Sequence, residues 1–121
     1  MGSHNAEAII VTCIDFRLQD FINNWISKNF GARTFDRVAF AGGVKDLENI
    51  LNHVKIAHDL HHIKKVVFIN HEECGAYGKS GTFEKHVHDL TLAKEKVQEL
   101  YPHLSVDIYY MYLNGKLEKI D

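Results

Sequence analysis

Residues 7–17 read EAIIVTCIDFR: a short, mostly β-branched apolar run that stops at a cysteine, an aspartate and an arginine placed at every second position. An apolar run without polar alternation suits a strand covered on both faces, as in a parallel sheet between layers of helix. The pattern returns at 64–74, KKVVFINHEEC, where another such run ends abruptly at polar residues.

Working outward, Leu18, Phe21, Ile22, Trp25 and Ile26 share one helical face and predict a first helix at about 18–30, with Gly31 as its left-handed cap. FDRVAFAGG, residues 35–43, reads as a second strand ending in a glycine turn. Asp46 then stands as the N-cap of a second helix that turns Leu47, Ile50, Leu51, Val54 and Ala57 inward. From Glu84 to Tyr101 a third helix is expected, with Val87, Leu90, Ala93, Val97 and Leu100 as its stripe and Pro102 as its stop. SVDIYYMYL supplies a fourth strand, and Asn114-Gly115 followed by KLEKI gives a hairpin signal. Strands alternating with helices predict an α/β fold: a central, mainly parallel sheet flanked by helices, with a short C-terminal hairpin strand.

The 121 residues, 45% of them hydrophobic with a single proline, fit one domain, with residues 1–6 expected as an added or disordered tip. The formal charge of −2, with no lysine or arginine run longer than two, lacks the electrostatic footprint of a nucleic-acid binder. No apolar stretch nears the roughly 20 residues of a membrane helix, and the start lacks the order of a signal peptide. The expectation is a soluble cytoplasmic protein with neither nucleic acid nor membrane as partner. Cys13 and Cys74 then read as metal ligands or buried thiols rather than a disulfide.

In open parallel sheets the functional crevice lies beyond the carboxyl ends of the strands. Cys13 ends the first strand, His71 ends the third, and Cys74 follows one turn later. Thiolates and an imidazole select Zn2+, and three protein ligands leave a fourth position open, as catalytic zinc sites do. Asp15, two residues past Cys13, points to the same side and reaches the metal or its water. Arg17 on that side holds the carboxylate by two hydrogen bonds.

Cys13-Ile14-Asp15-Phe16-Arg17 matches the Cys-x-Asp-x-Arg motif of the β-class carbonic anhydrases, and His71-Glu72-Glu73-Cys74-Gly75 matches their His-x-x-Cys-Gly motif. Ala41-Gly42-Gly43 occupies the place of that family's glycine turn, so the chain resembles the family over roughly residues 7–120. The resemblance implies a carbonate dehydratase that interconverts carbon dioxide and bicarbonate through zinc-bound hydroxide. It implies Cys13, His71 and Cys74 as zinc ligands and Asp15 with Arg17 as the catalytic dyad. Asp15 would switch the enzyme off by swinging onto zinc as a fourth ligand. It implies a homodimer or higher homo-oligomer, with a pocket near Phe16, Phe40, Gly42, Gly43, Gly75 and Tyr77.

The chain departs from the family in starting almost at the first strand, without the N-terminal helical arm, and in Ala39-Phe40 where many members have arginine and asparagine. Two alternatives share the residues: a zinc hydrolase of carbon disulfide or carbonyl sulfide, and a non-catalytic zinc module that Asp15 closes. Elsewhere His58 and His62, four apart on one helical face, form either a second metal site or a solvated face. GAYGKSGT, residues 75–82, is no phosphate loop, because Glu73 stands where its first glycine belongs; a flap or a long turn is expected.

Overall fold

The computed structural model describes residues 4–121. Five strands and three helices follow in the order β1 (Ala8–Thr12), α1 (Gln19–Asn29), β2 (Phe35–Ala39), α2 (Leu47–His61), β3 (Lys65–His71), α3 (Phe83–Leu100), β4 (Ser105–Met111) and β5 (Leu117–Ile120). They build one sheet in the order β2-β1-β3-β4-β5. The first four strands are mutually parallel, and β5 returns antiparallel to β4.

Burial explains the unalternating runs. Ile9, Val11, Val66 and Phe68 face α2 and α3, meeting Ile50, Val54, Leu90 and Val97. Their neighbours Ile10, Val67 and Ile69 face the other way, onto Leu18, Ile22 and Ile26 around α1. Each fully buried side chain of this kind contributes roughly 1.5–3 kcal/mol before chain entropy is set against it.

Three expectations change in detail. Gly31 does not cap α1: Phe30 closes it in an extended conformation (φ −135°, ψ 140°), its N–H donating to the Ile26 carbonyl. The Phe30 ring stands 6.1 Å from Trp25 and 6.0 Å from Phe35, and this docking draws the chain straight out of the helix. On α3 the buried stripe is His86, Leu90, Ala93 and Val97, while Leu100 is half exposed. The stripe therefore begins at a histidine that an apolar pattern passes over. At the end of α2, His62 takes the left-handed conformation (φ 53°) that terminates the helix.

Asp46 caps α2 as expected, its carboxylate accepting the Asn49 N–H at 3.4 Å. The turn before it needs its glycines: Gly42 and Gly43 have φ of 86° and 59°, and the place of a Cβ at 43 is filled by the Asn70 carboxamide. Residues 1–3 of the expected tip lie outside the described residues. The His4 ring lies edge-on to His61, and the Ala6 N–H donates to the His61 carbonyl. Among the described residues no helix is long and apolar enough to cross a membrane.

Candidate metal centre

The strand order places a switch point between β1 and β3, because the chain leaves β1 toward β2 on one side and β3 toward β4 on the other. Cys13 follows β1 directly, and His71 is the last residue of β3. Glu73, left-handed at φ 58°, folds the next turn back so that Cys74 faces the same crevice.

The two sulfurs are 3.9 Å apart, and the donor atoms of Cys13, His71 and Cys74 all lie within 4.8 Å of one another. Two thiolates at 2.3 Å from a tetrahedral zinc stand about 3.8 Å apart, so the donor set fits the ion. His71 Nδ1 is 2.6 Å from the Glu72 carbonyl, which can only accept, so the proton sits on Nδ1. Nε2, buried and without a hydrogen-bond partner, keeps its lone pair. Backbone fixing of the far nitrogen is how a histidine ligand is held in its metal-binding tautomer.

Cys13 ionises far more readily than an ordinary thiol, first because Cys74 hydrogen-bonds to it and then with help from His71 and the Gly42 N–H. That N–H reaches Cys13 Sγ at 3.4 Å. The same contact with Cys13, together with burial, pushes the Cys74 thiol up. Two sulfurs sharing one proton is the arrangement a divalent cation replaces, since a coordinating thiol is deprotonated outright.

Beside the ligands, Arg17 grips Asp15 with both arms of its guanidinium, Nη2 to Oδ2 at 2.7 Å and Nε to Oδ1 at 3.1 Å. The Arg17 backbone N–H adds a third bond to Oδ1 at 2.9 Å. Hydrogen bonding to Arg17 holds the Asp15 carboxyl down at about 2. Asp15 Oδ2 lies 3.9 Å from His71 Nε2. Arg17 is itself anchored on the opposite loop, donating to the Glu73 carboxylate and to its carbonyl, each at 3.1 Å. Gln19 Nε2 fastens the first loop by donating to the carbonyls of Cys13 and Asp15.

These residues open onto a cleft of about 780 Å³, with Ile14, Phe16 and Gly75 on its walls. Phe16 is 86% exposed and Ile14 58%. Of the other expected pocket residues, Phe40 packs on the helical core and Gly42 and Gly43 lie behind Cys13, so none of the three lines the cleft. Tyr77 is buried beneath the cysteines and pins the 75–82 stretch, which forms the short 3-10 turn Gly78–Ser80.

A polar cluster that apolar patterning misses supports this floor. Asn70 Oδ1 accepts the Val44 N–H, and Asn70 Nδ2 donates to Tyr77 Oη and to His86 Nδ1. Tyr77 Oη donates in turn to Asp89 at 2.8 Å. The one available signal is a polar asparagine inside an otherwise apolar strand. Burial pushes the pKa of His86 down to about 4. As pH falls from about 6.5 toward 4, the unfolded chain takes up a proton that the native state refuses. Thermal unfolding is therefore expected to lose on the order of 2 kcal/mol of stability over that range, a slope that His86→Gln flattens. Superimposable profiles for the two proteins would refute it.

The His58 and His62 pair does not form a site, since His62 lies beyond the end of α2. His58 instead meets His103, with 2.9 Å between their Nε2 atoms.

Comparison with known proteins bears on the family and the fold. The model of a family described as "Putative carbonic anhydrase" matches residues 3–121. An uncharacterized protein of Rickettsia bellii is 33% identical, the match covering 97% of this chain and 83% of that protein. The fold is similar to that of a carbonic anhydrase from Glaciozyma antarctica, at 17% identity and a TM-score of 0.72 over 98% of this chain and 84% of that one. It is likewise similar to the β-carbonic anhydrase isoform I of Trichomonas vaginalis, at 19% identity and a TM-score of 0.70 over 99% and 86% of the two chains.

Proposed function

The chain belongs to this carbonic anhydrase family, and on that premise we propose that it catalyses the reversible hydration of carbon dioxide to bicarbonate, with Cys13, His71 and Cys74 holding a zinc ion. The observation that carries the reading is the buried pair of sulfurs and one imidazole nitrogen beside a carboxylate that an arginine already grips.

A zinc ion held there supplies the Lewis acidity that ionises water near neutral pH. Asp15, ionised throughout the physiological range, serves as an acceptor: Oδ2 takes a hydrogen bond from the attacking water and turns its lone pair toward the substrate. Arg17 fixes the carboxylate so that this orientation exists before substrate arrives. The Gly42 N–H and the Glu72 carbonyl hold Cys13 and His71 in their ligating forms.

A non-catalytic zinc module would need Asp15 to close the site as a fourth ligand. Both of its oxygens are engaged by Arg17, and this favours the enzyme. The apolar rim of Ile14 and Phe16 suits an apolar substrate and a second copy of the chain closing over the cleft. We accordingly assign a homodimer or larger, which sedimentation equilibrium reads directly. The reduced thiols required by the site fit the cytoplasm.

Stopped-flow measurement of carbon dioxide hydration on protein holding about one zinc per chain is the deciding test. Turnover well above the buffer rate is expected. Zinc-loaded protein that is inert toward carbon dioxide but hydrolyses carbonyl sulfide or carbon disulfide would move the assignment to that substrate class.

A further inference from the structure

At the other end of the sheet from the cleft, we propose that His58 and His103 form a second metal site, for a divalent ion of tetragonal preference such as copper(II) or nickel(II). The inference is independent of the function proposed above. Its starting point is the short approach of two imidazoles from separate elements, His58 in the last turn of α2 and His103 just before β4.

His58 carries the features of an oriented ligand. Its Nδ1 lies 2.9 Å from Asp59 Oδ1, and a carboxylate can only accept, so the proton sits on Nδ1 and Nε2 keeps its lone pair. Lys55 holds the other oxygen of Asp59, at 2.6 Å. A carboxylate behind the far nitrogen of a histidine fixes its tautomer and ring orientation, as in carboxylate–histidine–metal triads. The Tyr101 ring lies 4.4 Å from the His58 ring and stands edge-on to His103 at 6.5 Å, restricting both.

Without an ion, His103 Nε2–H donates to His58 Nε2 across 2.9 Å. When an ion binds, His103 shifts that proton to Nδ1 with no net change, and both Nε2 lone pairs become available. Two nitrogens at about 2.05 Å from an ion stand about 2.9 Å apart on adjacent corners of a square and about 3.3 Å apart on a tetrahedron. The hydrogen-bonded separation of 2.9 Å already brings the two nitrogens within reach of one ion, and copper(II) and nickel(II) stand high in the order of divalent affinities for imidazole. The carbonyl end of α2 adds a field that favours a cation.

Nickel(II) is the probe, titrated into zinc-saturated protein and read by calorimetry and by broadening of histidine ring signals in NMR spectra. One nickel is expected to broaden the His58 and His103 rings first. His58→Ala and His103→Ala should each weaken binding at least about tenfold, Asp59→Asn about tenfold, and His62→Ala not at all. Undiminished nickel binding in both alanine variants, or first broadening at His4, His61 or His62, would overturn the proposal.

Discussion

Cys13→Ser is expected to give a folded chain that cannot keep zinc. Cys13 is 6% exposed at the carboxyl end of the interior strand β1, and the replacement hydroxyl still offers an acceptor to the Gly42 N–H, so local packing is retained. The thiolate is lost, and an alcohol does not ionise at neutral pH to replace it as a ligand. With one sulfur and one imidazole left, zinc after dialysis against a chelator should fall from about one per chain to near zero, and hydration activity with it. Metal analysis beside a thermal melt separates loss of the ligand from loss of the fold. Full zinc retention by Cys13→Ser would remove Cys13 from the ligand set.

The second large effect is expected at Asp15. Asn at this position keeps the shape but presents an N–H where an oxygen accepts, and it ends the two-armed ion pair with Arg17. Zinc content should stay near the wild-type level while kcat/KM falls by about 10²–10³, the usual scale for losing one preorganised hydrogen-bonding group. With Asp15 held at about 2, the group does not titrate between pH 6 and 9, so the drop should be similar across that range. The sign for stability is also fixed. A lowered carboxyl pKa stabilises the native state above the ordinary aspartate range, and that contribution fades as pH falls toward 2. Asp15→Asn with unchanged kcat/KM would exclude Asp15 from the reaction.

What could be read beforehand followed from strong, repeated signals. The doubly buried runs of β1 and β3 announce parallel strands, and the polar residues at their ends converge because a switch point lies between them. The helical stripe of α2 was legible because its inward residues are apolar. His86 was not legible, since a neutral histidine with one hydrogen-bonded nitrogen can occupy a core position that a hydrophobic pattern assigns to nobody. Phe40 packs on the helical core and Tyr77 directly beneath the cysteines, because an aromatic near a motif in sequence can as easily pack beneath a site as line it. Pairing His58 with His62 relied on helical spacing continuing past residue 61, where the backbone turns left-handed. Glu73 acts through hydrogen bonds from Arg17 on the opposite loop and Gln19 through bonds back to the segment before α1, and no periodicity encodes those.

The Asn70 carboxamide fills the volume that a side chain at position 43 would need. The two positions are therefore not free to vary separately. A relative with any residue other than glycine at 43 should carry a smaller one than asparagine at 70. Asn70 also accepts the Val44 N–H and precedes His71, so such a paired exchange would be felt in the turn behind Cys13. Diversity at this glycine is thereby tied to the metal-binding strand, and sequence variation in one motif becomes a record of the other.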